Sequence, residues 1–227
     1  MKIKIVHNAR EATGTTVIID VFRAFTVEPY MIYNGADKVI PVGDMQIAYD
    51  YKNTHNDCIL IGERNGKILP GFDYGNSPSE IKNIDFTGKT IIHTTSCGTQ
   101  GIANSINATE ILTGSFVNSN AIAKYILSQN PEEVSIASLC RPGENPTSED
   151  ELCALYIKSL LEGYEISDLS KKIEALKFSS GAKFFDKTQQ DVFPEMDFYL
   201  CTELNKFDFV LKVEKDSSGL NYIKKIT

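Results

Sequence analysis

The sequence predicts an α/β domain whose largely parallel or mixed sheet is covered by helices on both faces, and three observations carry this. Short apolar, β-branched runs recur along the chain, stretches of helical periodicity lie between them, and polar turns follow several runs directly. With 227 residues and 42% hydrophobic content the chain can bury one substantial core, so residues 1–227 are expected to form a single domain.

Taken in order, strands are expected at 3–6, 17–21, 39–42, 58–61, 90–93, 110–113, 134–138 and 209–213. Helical periodicity marks 121–128 and 152–161. Residues 216–219 read as a hairpin turn before a closing strand at 222–226. Residues 63–79, ERNGKILPGFDYGNSPS, hold several glycine or proline turns and no clear period, which predicts a long loop of the kind that carries function.

Composition narrows the partners. A formal charge of -7 with no basic tract disfavours nucleic acid and anionic membranes. No apolar run approaches the roughly 20 residues that span a bilayer, and MKIKIVHNAR lacks a signal-peptide core, so a cytoplasmic location is expected. Five cysteines without a CxxC pair read as reduced thiols and argue against a zinc cluster. Small α/β enzymes are often symmetric dimers, so a homodimer stays open. Against 19 lysines stand only four arginines, Arg10, Arg23, Arg64 and Arg141, whose planar fork suits bidentate binding of phosphate or carboxylate.

Ligands in open α/β sheets bind beyond the carboxyl ends of strands, and four strand ends are rich in polar groups. In VIIDVFRAFT, Asp20 breaks an apolar run and Arg23 follows; a metal ion, an Asp20–Arg23 pair or a helix N-cap would each satisfy the carboxylate. The long loop starts with Glu63 and Arg64 and ends at Asn76, Ser77, Pro78, Ser79 and Glu80, where Ser77 and Glu80 predict a capping box and the helix end could also face an anion. In IIHTTSCGTQG, Thr94, Thr95, Ser96 and Gly98 offer hydroxyls and close backbone approach before a helix, which suits phosphate and also ordinary capping. In SLCRPGENPTSEDELC, Arg141 follows a strand, and Glu149 and Asp150 open a helix. There a Ser148–Glu151 capping box competes with an oxygen-ligand site for Mg²⁺.

Other patterns carry less. Cys58 and Arg64 have the spacing of thiol phosphatases, but CILIGER lacks a glycine-rich loop, so Cys58 is expected to be an inert core residue. GERNGK has the wrong spacing for a Walker A loop. His7, His55 and His93 form no metal motif, and His93 reads as either an acid or base near the third cluster or a satisfied strand histidine.

Together, VIIDVFRAFT, GERNGKILPGFDYGNSP, HTTSCGTQG and GENPTSEDELCA, with a weaker match at DFYLCTELNKFDFV, resemble the ComB family, the 2-phosphosulfolactate phosphatases. The motifs stand in family order over nearly the whole chain, and the most specific is GFDYGNSP joined to GER and the Asp20/Arg23 strand. Cys97, where a TTTNGT-like loop would have asparagine, and Phe22 and Phe25 depart from the pattern and bear on the substrate more than on the chemistry.

The resemblance implies a three-layer α/β/α fold, Mg²⁺, and hydrolysis of the small anionic phosphoester 2-phospho-3-sulfolactate to 3-sulfolactate and phosphate, a reaction of coenzyme M biosynthesis. It also implies Asp20, Glu149 and Asp150 as metal ligands and Arg23 and Arg64 as clamps on phosphate or sulfonate, with Glu63 beside them in the catalytic group. Thr94, Thr95, Ser96, Gly98, Asn76, Ser77 and Arg141 would then bind substrate. Water and Asp20 both stay open as the nucleophile. Two other readings are a non-catalytic binding protein for a phosphorylated or sulfonated metabolite, and a thiol phosphatase built on Cys58.

Overall fold

The computed structural model describes residues 1–139 and 148–227. Within them the apolar runs form ten strands: β1 (Lys2–Val6), β2 (Gly14–Ile19), β3 (Lys38–Pro41), β4 (Ile59–Arg64), β5 (Lys67–Ile68), β6 (Thr90–Thr94), β7 (Ala108–Gly114), β8 (Glu133–Ser138), β9 (Val210–Lys215) and β10 (Asn221–Ile226). Eight helices alternate with them: α1 (Ala24–Tyr33), α2 (Met45–Thr54), α3 (Pro78–Ile81), α4 (Gly98–Asn104), α5 (Ser119–Gln129), α6 (Ser148–Glu162), α7 (Leu169–Ala175) and α8 (Glu195–Thr202). The result is a three-layer α/β/α fold around one mixed sheet of order β1-β8-β2-β7-β9-β10-β3-β6-β4-β5.

Two parallel blocks make up most of the sheet: β1, β8, β2 and β7 on one side, and β3, β6 and β4 on the other. The C-terminal hairpin β9–β10 lies between them and pairs antiparallel with β7 and β3. By this pairing the blocks run in opposite directions. From β2 to β6, however, the order makes five steps, and a twist of roughly 20–25° per step accumulates to more than ~100°. Twist thus turns back much of the reversal, and the carboxyl ends of β2, β4 and β6 meet.

Side-chain alternation sorts the core. Val17 and Ile19 of β2 pack with Ile122 and Ile126 of α5 and Leu152 and Ile157 of α6, while Ile18 between them packs with Ala24, Phe25 and Ile102 on the other face. In the second block Val39, Ile61 and Ile91 meet Val27 and Met31, and Ile40, Leu60 and Ile92 meet Ala48 of α2. Helix α1 contributes to both blocks. Its residues from Ala24 to Met31 are all buried, as expected of a helix enclosed on every side.

Some boundaries differ from expectation. Strand β2 stops at Ile19 because the Asp20 side chain accepts from Ala24 N and starts α1. The strand expected at 58–61 continues through Glu63 and Arg64, which pair with Ile68 and Lys67 of β5. Asn65 and Gly66, at φ 55° and 81°, make the two-residue turn, a type of turn that Asn-Gly favours because both positions need positive φ. At α3, Ser77 Oγ accepts from Glu80 N, but the Glu80 carboxylate accepts from Gly75 N, so the expected reciprocal box is half made. The Ser148 hydroxyl lies within 3.1 Å of the hydroxyls of Ser179 and Ser180. Among the described residues no helix is long and apolar enough to cross a membrane.

Candidate active site

Asp20 stands at the point where β2 passes into the buried helix α1. Its Oδ1 accepts from Ala24 N at 3.1 Å, and its carbonyl from Phe25 N at 3.0 Å. Oδ2 lies against the start of α4, so close that a Cβ on Gly98 would come within 2.9 Å of it. Burial pushes the Asp20 carboxyl up to about 7; the Ala24 N–H opposes this, the charges of Glu63 and Glu149 add to it, and His93 opposes it. The charges of Glu63 on β4 and Glu149 at the start of α6 therefore bear on the Asp20 carboxyl.

Glu63, on β4, ties two loops together. Its Oε2 accepts from Gly66 N at 2.6 Å and from the Ser96 hydroxyl at 3.2 Å, and Oε1 accepts from Ser96 N at 2.7 Å. Arg64 next to it donates to the carbonyls of Glu63 and Gly43 and, at 2.9 Å, to Thr94 Oγ1. Thr95 and Thr99 bond reciprocally, each backbone N–H donating to the other's hydroxyl. The hydroxyl loop expected as an anion cradle is thus braced by Glu63, Arg64 and Thr99. Gly98 brings it against Asp20.

Arg23 was expected to clamp an anion directly, and the structure commits it elsewhere. Nη1 donates to Asp197 Oδ2 at 2.7 Å and to Val192 O at 3.0 Å, Nη2 donates to Gly66 O at 3.1 Å, and the guanidinium lies over Phe193. Asp197 Oδ1 in turn accepts from the Ser77 hydroxyl and from Ser79 N, both at 2.9 Å. Ser77 and Arg23 therefore share a buried carboxylate, an uncompensated charge being too costly there. Asp197 was missed by sequence reasoning; the signal available was an acid within the apolar stretch MDFYLC.

Asn76 is nearly buried, and its Oδ1 faces His93 Nε2 at 3.2 Å. His93 Nδ1 faces Glu28 Oε1 at 3.0 Å, and Thr113 donates to Glu28 Oε2 at 2.9 Å. Glu28 was also missed. It is hidden in FTVEPYMIY, where only its isolation among apolar residues marks it.

At the start of α6, Asp150 Oδ1 accepts from Val21 N at 2.8 Å, which joins this helix to the Asp20 turn. Glu149 is 3% exposed, and its Oε2 is sealed from solvent with no hydrogen-bond partner among the described residues. Such an orphaned carboxylate oxygen, near a second buried acid, fits a hard divalent cation with oxygen ligands. Among the described residues no three His, Cys, Asp or Glu side chains are already gathered in ligand geometry. Arg141 lies outside the described residues, as does most of the turn before α6.

Cys58 sits in the core, where burial pushes its thiol up, which is the opposite of an activated nucleophile.

Comparison with known proteins matches residues 2–216 to the family described as 2-phosphosulpholactate phosphatase. A protein of Bacillus subtilis named a probable 2-phosphosulfolactate phosphatase is 32% identical over 213 residues, covering 92% of this chain and 91% of its own. Relatives of the same name in Caldanaerobacter subterraneus (33% identical, 87% of each chain) and Clostridium acetobutylicum (36% identical, 78% of this chain and 73% of its own) match similarly.

Proposed function

Because the chain belongs to the 2-phosphosulpholactate phosphatase family, we propose that it is a Mg²⁺-dependent phosphatase that hydrolyses 2-phospho-3-sulfolactate, or a closely related small phosphorylated hydroxyacid, to the free hydroxyacid and phosphate. Acting on that ester in the cytoplasm, it would serve coenzyme M biosynthesis. The observation that carries the reading is that the buried Asp20 carboxyl, raised to about 7 chiefly by burial, also feels the charges of Glu63 and Glu149, and that Glu149 Oε2 is orphaned among the described residues.

Asp20 and Glu149 would hold Mg²⁺, with Asp150 bracing the turn between them through Val21 N. Bound there, the ion would neutralise charge on the phosphoryl oxygens and on the carboxylates. Arg64, whose guanidinium is bonded to neutral acceptors and has no carboxylate partner among the described residues, would offer its positive charge beside Thr94 to the anionic substrate. Arg23 supports the pocket through Asp197 and Gly66. Glu63 holds the Gly66 turn and the Ser96 loop at one separation, which keeps the donors pre-set when charge develops on the phosphoryl group.

The test is a phosphate-release screen of small phosphoesters with and without Mg²⁺. Release from phosphorylated hydroxyacids only with metal is the expected result. Binding without turnover across a panel of divalent metals would instead support a non-catalytic binding protein.

A further inference from the structure

A line of polar side chains crosses the core from one sheet block to the other. Thr113 lies on β7 in the first block, Glu28 on the enclosed helix α1, His93 on β6 in the second block, and Asn76 in the loop before α3. Thr113, Glu28 and His93 are all 0% exposed. Burying an acid and an imidazole is unfavourable unless they satisfy each other, and here they do.

The hydrogen bonds fix which end of Asn76 faces which way. Glu28 Oε2 accepts from Thr113, and one hydrogen lies between Oε1 and His93 Nδ1, whichever atom owns it. Asn76 Oδ1 can only accept, so His93 Nε2 carries a hydrogen and donates to it; the hydrogen between Oε1 and Nδ1 then belongs to Glu28 if the ring is neutral and to Nδ1 if the ring is an imidazolium. This leaves the Asn76 NH₂ pointing away from the imidazole. No described residue accepts from Nδ2, and Nδ2 is not among the atoms sealed without a partner. His93 directly precedes Thr94, which accepts from Arg64, and Asn76 directly precedes Ser77, which shares Asp197 with Arg23, so this end of the line lies beside the proposed site.

We infer that Glu28 and His93 are positioning residues that lock the Asn76 amide so that its Nδ2 hydrogens are presented to the phosphoryl group. The inference rests on the phosphatase reading for the identity of the anion. His93 is not the acid or base of the reaction, because both ring nitrogens are engaged and the ring has no exposure. Its contribution is orientation: a donor held in place by buried hydrogen bonds needs no reorganisation when charge accumulates on the phosphoryl oxygens.

The experiment titrates the folded full-length chain with inorganic phosphate in Mg²⁺ buffer, using calorimetry and the side-chain amide NMR signals. In the unaltered protein the Asn76 NH₂ pair is expected to shift on phosphate addition. Asn76→Ala and Glu28→Gln are each expected to weaken phosphate about tenfold, and the double variant no more than about twofold beyond Asn76→Ala alone, since two residues acting through one donor are not additive. Thr113→Val, at the far end of the line, gives the same cycle in a milder variant. Additive losses, an unmoved Asn76 signal, or no phosphate binding by the unaltered protein would each overturn the inference. Turnover is read separately: phosphate binding with the expected cycle but no hydrolysis leaves the positioning role standing and removes the phosphatase reading.

Discussion

Arg23 and Asp197 form an ion pair at 2.7 Å in which the side chains are 3% and 0% exposed, and they join α1 to α8 across 174 residues of chain. Removing one partner of such a pair leaves a buried charge without compensation, at about 3–5 kcal/mol. Asp197→Ala also strips the acceptor from Ser77 and Ser79 N. Its melting temperature should fall by around 10 °C, given about 2–4 °C for each kcal/mol in a chain of this size. A shift below ~2 °C in a thermal melt would contradict the structural role given to the pair.

Asp20→Asn is expected to abolish turnover yet stabilise the metal-free protein above neutral pH. The sign follows from the raised carboxyl. The unfolded group releases its proton near 3.8 and the folded one near 7, so between these values the folded state holds more protons and stability falls as pH rises. Thermal melts in EDTA should show the gap between variant and parent opening from pH ~4 to ~7 and staying constant above that. A gap that does not change with pH would count against the assignment.

Gly98→Ala should damage catalysis more than folding. The new Cβ would press on Asp20 Oδ2 at 2.9 Å, Phe25 Cζ at 3.0 Å and Ala24 Cβ at 3.2 Å. Overpacking of this kind costs about 1–3 kcal/mol, while a misplaced catalytic group can cost on the order of 100-fold in rate. Comparing kcat with the melting temperature checks the split.

Cys58→Ser should retain full activity. The thiol is buried beside Leu60 and Ile92 in the core packed against α2, and its raised pKa keeps it protonated at neutral pH. Loss of phosphate release with the fold intact would revive a thiol mechanism.

Much of the fold was legible because parallel strands covered on both faces read as near-continuous apolar runs, as VIPV at 39–42 and CILI at 58–61 do. The Asn65–Gly66 hairpin carried its own turn signal but was absorbed into the long loop, its strand β5 being only two residues long. That ligand-facing polar groups would gather at strand ends was an expectation from position alone, and there Asp20 feels the charges of Glu63 and Glu149. What the side chains do there was not legible. Asp197 takes Arg23, and His93 and Glu28 take Asn76, across separations set by sheet twist and by the enclosed course of α1, which local sequence does not encode.

The most direct test of the central claim is the initial rate of phosphate release from 2-phosphosulfolactate as Mg²⁺ is titrated, for the parent chain and for Glu149→Gln. The account expects no release in EDTA, saturable activation by Mg²⁺, and at least a tenfold higher Mg²⁺ requirement in the variant, the order of loss for a disturbed metal site. Undiminished release in EDTA, or a Glu149→Gln curve that overlays the parent, would contradict it.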